Sequence, residues 1–185
     1  MSVIDGLADS FERQARLPWK RNISSAERVW LVVYEPSIER RLRAQIGEFQ
    51  FRAANSGHTW VDVDLTNAFG EWLAQHEYAE SFYEEPELLS TATLEDFDSF
   101  VVEKLTAALD SDDVDEDTIV AVLGTGALFP FTRASRVIES AESNIRGRLA
   151  VFFPGHHSGS NYRLLDARDG WNYRAIPITE GEDAS

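Results

Sequence analysis

Two apolar hexapeptides, far apart in the chain, constrain the fold more than any other feature. Residues Val29–Tyr34 read Val-Trp-Leu-Val-Val-Tyr, and Thr118–Leu123 read Thr-Ile-Val-Ala-Val-Leu. Neither alternates with polar residues, so neither has a face to give to water. Such runs are strands buried on both faces, the pattern of a parallel sheet covered by helices. The intervening segments supply the helices. Ile38, Leu42, Ile46 and Phe49 recur every three to four residues, predicting an amphipathic helix over 38–55 that stops near Gly57. Leu94, Phe97, Val101 and Leu105 do the same for a helix over 93–109, and a further helix is expected over 132–146. Additional strands are expected over 59–65, 149–153, 162–165 and 171–178, with a loop over 154–160. In the strand over 59–65, Asp62 and Asp64 alternate onto one side, which places it half-exposed or near a sheet edge.

Strands alternating with helices give one α/β domain with a mostly parallel sheet of about five strands and helices on both faces. The layering is Rossmann-like, without a P-loop. The expected division is a helical arm over 1–25, a single α/β domain over 26–178 and an acidic disordered tail over 179–185. The arm carries Ile4, Leu7, Ala8 and Phe11 at helical spacing.

Composition removes several function classes. There is no Cys, which excludes a thiol nucleophile, disulfides and Cys-ligated metal. No apolar run approaches the roughly 20 residues of a membrane span. Residues 1–20 show no apolar signal region, so a cytoplasmic protein is expected. The net charge is −15, and it is concentrated: residues 77–117 hold 15 acidic side chains against Lys104 alone. A chain with this field repels the phosphate backbone, so no direct nucleic-acid partner is expected. The same acidic segment offers a solvated face or a docking face for a basic partner.

Ligands of open α/β sheets favour the carboxyl ends of the strands. Gly124-Thr125-Gly126 lies at one such end, but it lacks the spacing and the Lys of a P-loop, and Phe129 stands where a dinucleotide fingerprint needs a third Gly. A tight turn out of a central strand is the simpler reading. Adjacent His156 and His157 diverge in regular structure and have no third ligand nearby in sequence. Ser158 lacks a Gly two residues before it and so no nucleophile elbow forms. No catalytic residue, cofactor or metal is assigned, and a non-enzymatic chain is expected.

The carboxy-terminal half carries a longer pattern. It runs Gly124-Thr125-Gly126, Phe129-Pro130-Phe131-Thr132-Arg133, Phe153-Pro154-Gly155, Ser158-Gly159, Tyr162-Arg163-Leu164 and Asn172-Tyr173-Arg174-Ala175. In order and spacing this resembles the BrxB family of BREX phage-resistance systems. Tyr162 departs from the Leu that the family usually carries before the Arg of its late loop. The resemblance implies an anti-phage component working beside an alkaline-phosphatase-like protein (PglZ) above all, and also a DNA methyltransferase (PglX) or an AAA+ ATPase (BrxC). With no catalytic set in view, it implies an assembly or adaptor subunit. Phe129, Pro130, Arg133, Pro154, Gly155, Gly159, Arg163, Asn172, Tyr173 and Arg174 are its expected interaction residues, on one shared surface. The alternative is a nucleotide- or phosphate-binding regulatory domain, a degenerate NTPase-like fold using the Gly124 to Arg133 turn.

Abundant Asp and Glu with only two Lys also suit a high-salt interior. On that reading the thermal midpoint rises with added salt and the fold is lost on dialysis into low salt, followed by circular dichroism. Indifference to salt excludes it.

Overall fold

The computed structural model describes residues 2–168 and 170–181. The sheet contains β1 (Val29–Tyr34), β2 (Thr59–Asp64), β3 (Thr118–Leu123), β4 (Arg148–Ser158), β5 (Asn161–Leu164), β6 (Trp171–Asn172) and β7 (Ile176–Ile178). Five of them run parallel in the order β2-β3-β4-β1-β7, while β5 and β6 add antiparallel to the far end of β4. The fold is therefore α/β, with seven strands and mixed pairing rather than about five. Its strand order is not that of the Rossmann fold.

Each hexapeptide is buried on both faces, and the side chains divide by parity. Val29, Leu31 and Val33 of β1, Val120 and Val122 of β3, and Leu149, Val151 and Phe153 of β4 enter one core. Trp30, Val32 and Tyr34, Ile119, Ala121 and Leu123, and Ala150 and Phe152 enter the other. The first core is closed by α4 (Ala68–Gln75), α5 (Ala79–Glu84), α6 (Thr91–Leu109) and α7 (Ala134–Ala141), through residues such as Trp72, Phe82, Phe97 and Ile138. The second is closed by α1 (Val3–Arg16), α2 (Glu39–Ala44) and α3 (Ile46–Asn55), through Phe11, Leu42 and Phe49. The segment expected as an arm thus forms α1, whose Ile4, Leu7, Ala8 and Phe11 are all buried there. No helix among the described residues is long and apolar enough to cross a membrane.

Local chemistry explains where the elements depart from the periodicity. The expected helix over 38–55 is two helices, broken at Gln45, whose φ of −111° and ψ of 14° leave the helical region. The helix of the acidic segment starts two residues early, because the Ser90 hydroxyl accepts the Thr93 N–H and so caps Thr91–Leu109. The helix expected over 132–146 is regular only over Ala134–Ala141 and then tightens into a 3₁₀ turn at Glu142–Asn144. The loop expected over 154–160 is mostly strand. Pro154 is the last partner of β1, opposite Tyr34, and from Gly155 onward β4 pairs with β5. A Cβ on Gly155 would lie 2.0 Å from the Arg163 carbonyl oxygen, so only glycine lets β5 approach. The strand expected over 171–178 is two short ones, because Trp171–Asn172 pairs with β5 and Ile176–Ile178 pairs with β1. Of the expected tail, residues 182–185 lie outside the described residues.

Phe152 is fully buried and meets Phe49 edge-to-face at 5.1 Å. Phe152→Ala is expected to cost about 3–5 kcal/mol of stability, measured by urea unfolding. A loss under about 1 kcal/mol would mean that this core collapses around the gap.

Candidate functional site

The parallel strands deliver three loops to one rim. The chain leaves β1 through Glu35-Pro36, leaves β2 through Leu65-Thr66, and leaves β3 through Gly124-Thr125-Gly126. After β1 it passes to the α2–α3 face, and after β2 and β3 to the opposite face. The divergence opens a cleft of about 320 Å³ between Pro36, Glu39, Arg43, Thr66, Gly126 and Pro154.

One polar network closes its floor. Arg43 Nη2 donates to Asp64 Oδ2 at 2.5 Å, and its Nη1 donates to the Thr66 hydroxyl at 3.0 Å. The backbone N–H and hydroxyl of Thr66 both donate to Asp64 Oδ1, at 3.0 and 2.6 Å. Partial burial raises the Asp64 pKa, but the hydrogen bonds from Arg43 and Thr66 outweigh it and hold the carboxyl at about 2. Asp62, on the same side of β2, instead accepts from the Trp60 indole. The two aspartates therefore do not act as a carboxylate pair.

Gly124 borders this network. Its φ is +76°, and a Cβ would lie 2.4 Å from Thr66 Oγ1 and 3.0 Å from Asp64 Oδ1. Thr125 is buried, with its hydroxyl donating to the Phe152 carbonyl at 2.9 Å. The Gly-Thr-Gly segment serves a close backbone turn, and an anion approaching Gly124 meets the carboxylate of Asp64. Nearby, the Tyr34 hydroxyl donates to Glu39; burial and that carboxylate push its pKa upward.

A second concavity, of about 220 Å³, lies where the chain after β3 meets the β5–β6 hairpin. Phe129, Pro130 and Arg133 form one wall, Leu164 and Trp171 another, and Arg168 lies at the edge. The Phe129–Pro130 peptide is cis. Phe129 is 44 % exposed, whereas Phe131 stacks on Phe69 at 3.8 Å and Phe153 is buried. The hairpin is tied to α7 and the turn after it by aromatic side chains. The Trp171 indole donates to Glu139 Oε1 at 2.7 Å, and the Tyr173 hydroxyl donates to Glu142. The Trp171 and Tyr173 rings stack at 4.2 Å. Burial, with Glu142 second, raises the Tyr173 pKa.

The ten residues singled out in the sequence do not share one surface. Phe129, Pro130 and Arg133 share the hairpin concavity, and Pro154 faces the rim cleft. Gly155 lines a third hollow with Glu35 and His156, whose Nδ1 lies 3.6 Å from a Glu35 oxygen. Gly159 forms the hairpin tip with φ of +57°. Arg163 is exposed on β5, and Asn172 accepts from the Ser160 hydroxyl at 2.8 Å. Tyr173 is buried. Arg174 lies just before β7, whose register opposite Trp30 carries it to the amino end of β1, where its charge acts on Glu27. Arg43, Thr66, Arg168 and Trp171 were not singled out. Trp171 adjoins Asn172 and was within reach, but Arg43 reads as an ordinary helix-surface residue because its partners sit on another strand. Among the described residues no group of three His, Asp or Glu side chains is placed to hold a metal.

The Asp64 network makes a signed prediction. A carboxyl held below its unfolded value of about 3.9 stabilises the fold above that pH and loses the contribution as pH falls toward 2. Because the Asp64 side chain is 46 % exposed, the loss is discounted to about 1 kcal/mol at most. Asp64→Asn should lack this part of the acid limb between about pH 4 and pH 2, seen by comparing urea midpoints with the parent chain. Superimposable limbs would show that the bonds from Arg43 and Thr66 give the Asp64 carboxylate no net stabilisation.

No curated protein and no solved structure matches the chain. The family model described as "BREX protein BrxB" matches residues 61–178, from within β2 to the end of β7. That span holds the rim turn, the hairpin concavity and every quoted motif, and it exceeds half of the chain: the chain belongs to the BrxB family of the BREX anti-phage systems.

Proposed function

We propose that this chain is a non-enzymatic assembly subunit of its BREX system, docking a companion protein at the concavity between Phe129 and Trp171. The supporting observation is Phe129. It is a large aromatic held 44 % exposed at the edge of a preformed hollow, with Arg133, Arg168 and Trp171 around it. Aromatic and arginine side chains surrounding a pocket are what the centres of protein interfaces favour. The hairpin wall is rigid, since Trp171 and Tyr173 are hydrogen-bonded to Glu139 and Glu142. A rigid wall lowers the ordering cost of binding. The alkaline-phosphatase-like PglZ is the first candidate partner, with the methyltransferase PglX and the ATPase BrxC as the others; this choice rests on family membership.

The test is co-purification of the tagged chain from cells expressing its whole genomic neighbourhood, with the recovered proteins identified by mass spectrometry. Stoichiometric recovery of one companion is expected. Phe129→Asp should lower that recovery at least tenfold, about 1.4 kcal/mol, while leaving the thermal midpoint unchanged. Recovery of the chain alone overturns the assembly role. Undiminished recovery with the folded variant moves the docking site elsewhere.

A further inference from the structure

The opposite end of the sheet holds a cavity of different chemistry. Residues that immediately precede β1, β2, β3 and β4, together with the segment after α1, enclose about 360 Å³. In a chain of net charge −15, this cavity is lined, among the described residues, by Arg16, Lys20, Arg21, Arg28, Arg146 and Arg148 against Glu116 and Asp117.

Among the described residues Arg28, Arg146 and Arg148 form no ion pair with a carboxylate, although the charges of Lys20 and Arg146 act on Glu27 and Asp115. Arg16 pairs with Glu12 at 2.6 Å, and Arg21 pairs with Glu116. The others are different. Arg28 donates to the carbonyls of Arg146 and Arg21, at 3.0 and 2.6 Å. Arg146 donates to the carbonyls of Leu109 and Ser111, at 2.8 and 2.7 Å. Arg148 is only 5 % exposed, and its guanidinium donates to the carbonyls of Gly147 and Lys20 at 2.9 and 3.0 Å while lying 4.8 Å from the Trp19 ring centre. Carbonyls satisfy donors but leave the positive charge uncompensated, which is costly for a buried guanidinium. Burial and the charge of Arg28 both lower the Arg148 pKa, consistent with a site that has positive charge in excess.

Two buried ring nitrogens of residues lining this cavity lack partners among the described residues, though neither atom is open to the cavity itself. The Trp19 indole N–H has no acceptor, and His58 Nδ1 has no hydrogen-bond partner. His58 Nε2 donates to the Ala15 carbonyl at 2.9 Å, which leaves Nδ1 an unpaired acceptor that offers nothing to an anion, and the ring stacks on Trp19 at 3.6 Å. What the cavity holds in surplus is positive charge. A water molecule carries no charge and leaves that surplus in place. A multivalent oxyanion neutralises it.

We propose that this cavity is a binding site for a small phosphate-bearing anion, held by the amino-end arginines and Lys20. It is separate from the docking concavity and does not depend on it. Inorganic phosphate, pyrophosphate and the phosphates of a nucleotide share this chemistry.

The test is isothermal titration of the full chain, in a low-chloride buffer, with inorganic phosphate, pyrophosphate, ADP and a short DNA duplex in separate arms. One-to-one binding with Kd below about 1 mM is expected for at least one of the three small anions. Which arm binds identifies the source of the phosphate. Lys20→Gln with Arg21→Gln, both at exposed positions, should weaken it at least tenfold without loss of fold. Arg40→Gln, exposed on α2, should leave it unchanged. No heat from any small anion overturns the proposal. So does unaltered affinity in the double variant, which places the anion elsewhere, and so does binding by the duplex alone, which makes the surface a nucleic-acid contact instead.

Discussion

Strand β4 changes partners partway along its length, and both ends of the molecule depend on how it does so. From Leu149 to Pro154 it is paired with β1, and over Arg148 to Val151 with β3 as well. Pro154 has no N–H to extend a ladder, and Gly155 has no side chain to keep another strand away. At this dipeptide the parallel sheet stops and the antiparallel hairpin starts. The same eleven residues place Arg148 beside Trp19 at one end, Phe152 and Phe153 in the two cores in the middle, and Pro154 at the rim cleft. An altered register in β4 would move all of these together, because a one-residue slip exchanges the two faces.

Much of this architecture was legible in the residues. The segments Val29–Tyr34 and Thr118–Leu123 are strands with the expected bounds, because an unbroken apolar run has one way to bury both faces. The edge position of β2 follows from Asp62 and Asp64. Gly124 is in the left-handed region that a tight turn demands. What was not legible depends on partners distant in sequence. The continuation of β4 through Pro154-Gly155 requires β5, and the division of residues 171–178 requires two different neighbouring strands. At the site, the exposure of Phe129 beside the half-buried Phe131 and the buried Phe153 is set by packing on Phe69 and the core, not by residue type. Arg43 gave no signal at all, since its role exists only once Asp64 and Thr66 are brought beside it.

Charge is sorted in space as it is in sequence. The acidic stretch becomes α5, α6 and their connections, while arginines gather at the amino ends of the strands. Some of these arginines are structural staples. Arg28, Arg146 and Arg148 together bind six backbone carbonyls across segments that are far apart in the chain. A planar fork of donors suits such bridging better than a lysine ammonium, and the basic residues here are almost all Arg.

The two margins of the sheet bear on how any partner can be recognised. On one side β2 presents exposed Asp62 and Asp64, and on the other β7 is three residues long with Pro177 at its centre. Charges and proline at a margin oppose the addition of a foreign strand. Backbone-to-backbone docking, which tolerates many sequences, is disfavoured at both edges. Recognition of this chain then falls to side chains in shaped hollows, where one wrong residue on the partner is enough to prevent a fit.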